Sequence, residues 1–407
     1  MTYIAPTILS AILISHPHAV HNAVGMAMAL QAEGKLAAFE TGIAFGAATV
    51  LGQVAQAATS RYPLLRNRIL TAEPVRSHPV VEAAARLLAR MSPQNQRRAN
   101  LYNNLFTFHD WAVATSRWPS SVTAVYAYED GALRTFQRAK RQGLERIWDL
   151  PLPHYATIEA LINDERRRWP DAMTGPTYQE PDWKRRRKEA ELGLATRVSV
   201  ASAFTRKSLE GRTSLPVHVT PYGFPVEEFT ARAAPPTGPF RVLSVGTHDL
   251  RKGTPYLLEA WKRAAIPDAE LHLIGPLRLS KPFLDRYAGL FVHRPHAAKK
   301  ELADIYPTAD LLAFPTLGDG FGLVIQEAMC CATPVVTTPC GGGPECITDG
   351  VDGWIVAPRD VDALVHRFRA AAADRDACAR VGRAARARAE RGTWTEAGRS
   401  FLREIGA

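Results

Sequence analysis

The stretch that decides the fold is "AFPTLGDGFGLVIQEAMCCATPVV", Ala313 to Val336. It opens apolar as far as Pro315, which reads as the end of a buried strand. Gly318, Gly320 and Gly322 then crowd a loop, and an apolar helix begins directly after it. Glycines let a backbone approach a ligand closely, and unpaired N–H groups at the positive end of a helix attract an anion. Asp319 sits in this loop and Glu327 lies further along the new helix. Amides that hold phosphate, with carboxylates placed to meet the hydroxyls of a sugar or ribose, are the chemistry that the string implies.

Working outward, the same strand–helix alternation continues on both sides. Upstream come "FRVLSVG" (strand), "TPYLLEAWKRAA" (helix), "AELHLIG" and "LFVHRP" (strands), "KKELADIY" (helix) and "DLLAFPT" (strand). Downstream come "TPVVTT" and "GWIVAP" as strands and "VDALVHRFRAAAA" as a helix. The first half alternates too. "TILSAILIS" reads as a strand buried on both faces, "HPHAVHN" as a loop, and "AVGMAMALQAEG" as a helix carrying Val24, Met28 and Leu30 largely to one side and stopping at Gly34. "LAAFET", "SVTAVYAY", "RIWDLP", "TRVSVAS" and "LPVHVTPYGF" follow as strands, with "DGALRTFQRAKRQG" helical. Such alternation predicts α/β architecture with parallel sheets. The aperiodic, Pro-rich segment 230–239, "TARAAPPTGP", separates the two alternating halves and reads as a linker. The organisation expected is two Rossmann-like domains facing across a cleft.

Length and composition agree. The 407 residues amount to about 2.7 domain-lengths, and 46% hydrophobic with 22% charged residues excludes a disordered or fibrous chain. No fixed repeat period stands out. The net charge of +10 favours anionic partners such as nucleotide, phosphorylated substrate, nucleic acid or acidic lipid. Five cysteines, Cys330, Cys331, Cys340, Cys346 and Cys378, suit buried reduced thiols better than a disulfide framework or a zinc site. The uncharged runs 1–32 and 41–60 are broken by Pro, His, Asn, Gln and Gly and predict buried core, not a signal peptide or membrane span. A soluble cytoplasmic protein is expected. The charged stretch 163–188, with "ERRR" and "KRRRK", reads as a solvated helical face. No nucleic-acid module is recognisable, and the basic runs lack interleaved aromatics beyond Trp169 and Trp183. Asp360 and Asp362, like Asp374 and Asp376, could in principle hold a cation; Asp360 stands where a helix should start, so capping is the expected role and no metal is predicted.

The string 313–336 resembles the "EGFGLxxxEAMAxGxPVV" signature of the retaining glycosyltransferases of family 4, which have the GT-B fold. Other stretches resemble that family in order. They are "SVGTHDLRKGTPYLLEAW" (244–261), "LIG" (273–275), "ADIYPTADLLAFPT" (303–316), "GGGPECITDGVDGWIVAPRDVDAL" (341–364) and "TWTEAGRSFL" (393–402). "ATRVSVASAFTRKSL" and "VTPYGF" resemble the end of its first domain, and "ISHPHAVHNAVGMAMAL" is a looser match.

The resemblance implies a first, acceptor-binding domain over 1–229, completed by the C-terminal helix 393–407. After the linker, a nucleotide-sugar-binding domain would span 240–392. It implies that Lys252, with Arg251, neutralises the donor diphosphate. Glu327 would bind the ribose, and Asp319 with the backbone of Gly320, Phe321, Gly322 and Leu323 would hold the transferred sugar and distal phosphate. Gly246 lies at the diphosphate, and the nucleotide base would rest against the loops at Gly275 and His296. A histidine near the sugar would be His16 or His154, either of which loop structure also explains; His18 and His21 cluster with His16, and His109 reads as helical. Three departures bear on sugar preference and rate: Asp319 replaces the family's first Glu, Thr247 its Arg, and Pro225 its acid in "PYGVD". The function implied is a metal-independent, retaining hexosyl transfer from a UDP- or GDP-sugar to a glycan or lipid-linked acceptor, without a cofactor. A catalytically weak or inactive GT-B scaffold that binds nucleotide is the alternative. With a lipid-linked acceptor, 184–188 and Arg380, Arg383, Arg386, Arg388 and Arg391 would attract anionic membrane, at about 1 kcal/mol per residue.

Overall fold

The computed structural model describes residues 10–46, 53, 69–70, 74–91, 97–173 and 179–406. The two uncharged runs, the start of "TILSAILIS" and the segment 174–178 therefore lie partly or wholly outside the described residues.

The strands are β1 (Ile12–Ser15), β2 (Leu36–Thr41), β3 (Phe45–Gly46), β4 (Ile69–Leu70), β5 (Val75–Ser77), β6 (Ala124–Tyr128), β7 (Glu145–Leu150), β8 (Arg197–Val200) and β9 (Val217–Val219) in the first half. The second half holds β10 (Phe240–Val245), β11 (Ala269–Ile274), β12 (Val292–Arg294), β13 (Leu311–Phe314), β14 (Val335–Thr337) and β15 (Trp354–Ile355). They build a seven-stranded sheet in the order β5-β2-β1-β6-β7-β8-β9 and a six-stranded sheet in the order β12-β11-β10-β13-β14-β15. Every described pairing is parallel. The central strands β1, β6 and β13 are buried throughout, which is why they read as unbroken apolar runs instead of alternating ones. Strand order reverses between β1 and β6 and again between β10 and β13. Ligands of open α/β sheets sit at the carboxyl ends of strands at such points.

The helix Trp394–Ile405 returns to the first sheet. Phe401, Leu402 and Ile405 join a core with Ile12, Ile14, Met26, Leu30 and Phe39. It lies close on the helix His21–Ala32, since a Cβ at Gly398 would stand 2.5 Å from the Ala29 Cβ and one at Gly25 2.2 Å from the Trp394 ring. This corrects the predicted face of that helix. Met28 is exposed and Val24 half-buried, whereas Ala23, Met26, Ala27 and Leu30 point inward at helical spacing. The helix ends at Ala32, and Gly34 supplies the left-handed residue (φ 66°) that turns the chain into β2.

The charged stretch is the second correction. On the helix Asp182–Leu194, Lys188 and Glu191 are buried and Arg187 nearly so. Lys188 Nζ lies 3.1 Å from Glu129, Lys184 Nζ 3.0 Å from Asp130 and 3.1 Å from Glu180, and Arg187 2.6 Å from Asp110. Burial is tolerable because each cation meets at least one carboxylate. Glu165, on the helix Tyr155–Arg168, is also fully buried, between the Tyr256 hydroxyl (2.7 Å) and the Arg359 guanidinium (2.6 Å) of the second half. Trp169 follows onto the same surface, edge-on to Tyr256 and Phe283. A segment that follows β7 of the first sheet thus docks on the second.

Asp360 caps the helix Val361–Ala373 and Asp374 caps Arg375–Arg391, each accepting an N–H three residues on. Four of the five cysteines are buried, and all are free. Among the described residues no helix is long and apolar enough to cross a membrane.

Candidate functional site

β10 ends at Val245 and β13 at Phe314, so that Gly246 and Pro315 follow side by side at the switch point of the second sheet. The loop after β10 turns at Gly253 (φ 69°), where a Cβ would strike the Pro315 carbonyl at 2.0 Å. Only glycine lets the two loops lie this close. Gly322 (φ 89°) makes the corresponding turn into the helix Leu323–Cys330. Among the described residues, the N–H groups of Phe321, Gly322 and Leu323 carry no hydrogen-bond partner. They stand at a helix N-terminus, where the dipole favours negative charge.

These elements line a cavity of about 400 Å³ with Val245, Gly246, Thr247, Arg251, Lys252, Phe314, Asp319, Phe321, Gly322, Leu323 and Val324. Lys252 Nζ lies 2.5 Å from Asp319 Oδ2 and 4.8 Å from the centre of the Phe314 ring. Burial lowers the Lys252 pKa and the Asp319 carboxylate only partly opposes it. Arg251 Nη1 donates to the Gly318 carbonyl at 2.7 Å and stands 3.8 Å from Asp319. Asp319 Oδ1 in turn accepts the Gly320 N–H at 2.9 Å. A cation, a carboxylate that orients it, and free amides converge on one space. That set can bind a polyanion and stabilise charge that develops on it.

The first half closes the cavity with Asn22, Pro151 and Tyr222. Asn22 Nδ2 donates to the Tyr222 hydroxyl at 3.2 Å, and the Tyr222 ring contacts Phe321, 5.0 Å between centroids, and stacks on Trp394. The sequence reading assigned no role to these three residues. Asn22 and Tyr222 stand in quoted motifs, but their convergence on the glycine loop depends on how the two sheets meet.

The remaining expected site residues lie elsewhere. Glu327 is outside the cavity lining, one turn along the helix, with its Oε2 accepting from the Tyr306 hydroxyl at 2.7 Å; burial raises its pKa. Gly275 lies beyond Gly246, whose carbonyl a Cβ there would meet at 2.1 Å, and His296 is exposed past the end of β12. His16 is buried edge-on against Tyr128, with Nδ1 3.0 Å from the His18 N–H, and burial drives its pKa down to about 3. His154 caps the helix that follows it through the Ala156 N–H, and its Nε2 is 3.2 Å from Glu189. Neither imidazole reaches the cavity. His109 is on a helix, bonded to Ser15 and buried.

Residues 239–374 match a family model described as Glycosyl transferases group 1. The chain is similar to D-inositol 3-phosphate glycosyltransferases from Arthrobacter (29% identity; 52% of this chain and 54% of the relative) and Xylanimonas cellulosilytica (29%; 63% and 66%). The chain thus spans between half and two thirds of the length of these relatives. A relative of the same description from Mycobacterium avium is 40% identical over 25% of this chain and 24% of its own length. Among solved structures, sucrose-phosphate synthase from Thermosynechococcus elongatus superposes with a TM-score of 0.62 at 18% identity, over 97% of both chains. Anabaena HepE in complex with UDP and glucose gives 0.60 at 14% identity, over 98% of this chain and 99% of its own. The fold is GT-B.

Proposed function

Taking residues 239–374 as a group 1 glycosyltransferase domain, we propose that this protein transfers a hexosyl group from a nucleotide sugar to a glycan or lipid-linked acceptor, with retention and without a metal. The observation that carries the reading is the meeting of Lys252, Asp319 and the unpartnered amides of 321–323 around one cavity between the two sheets. As the bond to the leaving nucleotide breaks, negative charge gathers on its distal phosphate. The Lys252 ammonium, Arg251 and the amides would receive it without reorganising. Asp319 would hold the sugar, Gly246 would border the diphosphate, and Glu327, Gly275 and His296 would contact ribose and base.

Retention is supported by the lining itself. Among the described residues Asp319 is the one carboxylate in that lining and is paired with Lys252, and Asp249, in the wall of the adjoining cavity, accepts the Lys252 N–H. An inverting reaction needs a free base on the opposite face of the sugar. In a retaining transfer the departing phosphate can take the acceptor proton.

On this reading the residues 1–229 with 393–407 select the acceptor, and 240–392 hold the donor. A second cavity, of about 380 Å³, shares Thr247 and Arg251 with the first and is otherwise walled by Leu152, Ile158, Ile162, Met173, Leu250, Asp249 and Arg278. It gives room beside the donor for an acceptor with an apolar part. Arg386 and Arg388 are spent on the carbonyls of Phe229, Cys330 and Glu345, so attraction to an anionic membrane would fall to exposed Arg380, Arg383 and Arg391.

A panel of UDP- and GDP-sugars assayed for nucleotide release, with EDTA present, tests the reaction. Anomeric proton couplings in the product then test retention. Tight UDP or GDP binding without turnover would instead indicate a nucleotide-binding scaffold.

A further inference from the structure

The glycine loop is held from the other side of the cleft by residues that no donor contact requires. Ser202 and Thr205 follow β8 of the first sheet and are fully buried. The Ser202 hydroxyl caps the helix Ala203–Lys207 by accepting the Thr205 N–H at 3.2 Å, and it donates to the Gly320 carbonyl at 2.6 Å. The Thr205 hydroxyl stands 3.3 Å from the same carbonyl and 3.1 Å from Ser202 Oγ. The contact is close-fitting, because a Cβ at Gly320 would lie 1.7 Å from the Pro151 carbonyl oxygen. The next residue, Ala203, donates its N–H to Glu345 of the second half at 2.7 Å.

The carbonyl of Gly320 and the N–H of Phe321 belong to one planar peptide and point in opposite directions. Fixing the oxygen therefore fixes the N–H. That N–H has no partner among the described residues, and Phe321 lines the cavity. A glycine on one side of a peptide leaves its plane free to rotate unless something holds it. We propose that Ser202 is a positioning residue: its hydroxyl, carried by the first half, locks the Gly320–Phe321 peptide of the second so that the Phe321 amide faces the donor. Hydrogen bonding at the carbonyl also polarises the peptide and strengthens the N–H as a donor. The competence of the anion site thereby depends on the contact between the two halves. The inference rests on the donor-site reading above.

Ser202→Gly removes the hydroxyl while retaining a residue type tolerated at helix N-caps. It should lower kcat about tenfold, less than the loss expected when a donor to the reacting group is deleted outright. The dissociation constant for UDP (or GDP, whichever nucleotide the donor panel selects) should stay within about twofold, because an amide aimed at charge that develops as the bond breaks acts mainly in the transition state. Ser202→Thr should restore kcat. Thr205→Val, which deletes the longer bond and keeps the shape, should shift kcat in the same direction by less. A folded Ser202→Gly protein with wild-type kcat would overturn the proposal, as would equal losses in kcat and nucleotide affinity. If the wild-type protein neither binds UDP or GDP nor turns over, the donor-site reading falls and takes this with it. Turnover that is indifferent to Ser202 removes the clamp alone.

Discussion

At the switch point of the second sheet, between β10 and β13, the working groups are mostly backbone: turns at Gly253 and Gly322, free amides at 321–323, and one Lys252–Asp319 pair. At the equivalent point of the first sheet, beside β1 and β6, they are buried side chains. His16, His109, Glu129, Asp149, Lys188 and Glu191 are all nearly or fully inaccessible. Burial raises Glu129 and Asp149 to about 7 and Glu191 to about 8. A site made of amides depends on glycine spacing and tolerates change in surrounding side chains. One made of matched buried charges depends on every partner being present, and a related chain can build it from other residues. The family model matches 239–374, the part of the chain that holds the second sheet.

The contrast predicts that the two halves fail differently. The largest effect should come from Lys188→Ala, which leaves Glu129 buried with its nearest cation removed. Stability should fall by about 3–5 kcal/mol, read by urea unfolding, as is usual for breaking a buried pair. A loss below about 1 kcal/mol would place the first half's charges in the same class as surface pairs. Lys252→Ala should instead spare the fold and cut kcat/KM by about 10²–10³, since it removes a cation from the place where leaving-group charge develops. A folded variant with unchanged kinetics would sink the site assignment.

Glu327→Ala should act mainly on donor KM, by about 10–100-fold if the carboxylate holds ribose hydroxyls equally in ground and transition states. A kcat loss without a KM change would move Glu327 into the reacting site. Asp149→Asn is read from its dependence on pH. Asp149 accepts the Tyr126 hydroxyl, and burial holds its folded-state pKa near 7, above the ordinary carboxylate value. A raised carboxylate contributes stability that is complete below about pH 4 and is lost as pH rises through about 7. The wild-type protein should therefore lose stability relative to Asp149→Asn across that window, by at most about 1.4 kcal/mol per pH unit. Parallel stability–pH curves for the two proteins would break the prediction.

Sequence alone determined the local backbone. Runs such as "AILIS" and "LLAF" read as doubly buried strands because parallel sheets leave no polar face. Gly34 read as a helix stop and Gly322 as part of a loop, and both take the positive φ that other residues resist. The resemblance to the family implied a common site for Lys252, Asp319 and the glycine amides, and the strand order sets the ends of β10 and β13 side by side. Tertiary structure decided everything that depends on which faces meet. Helical periodicity did not reveal that Met28 looks outward, because only the return of Trp394–Ile405 sets that helix's rotation. Composition could not distinguish a solvated basic face from the buried ion pairs of Lys184, Arg187 and Lys188, whose partners come from distant segments such as Asp110 and Glu129. Nor could it place Asn22, Tyr222 and Ser202 against the glycine loop, because a contact between domains has no periodicity. It exists only once both sheets have formed and one has closed on the other.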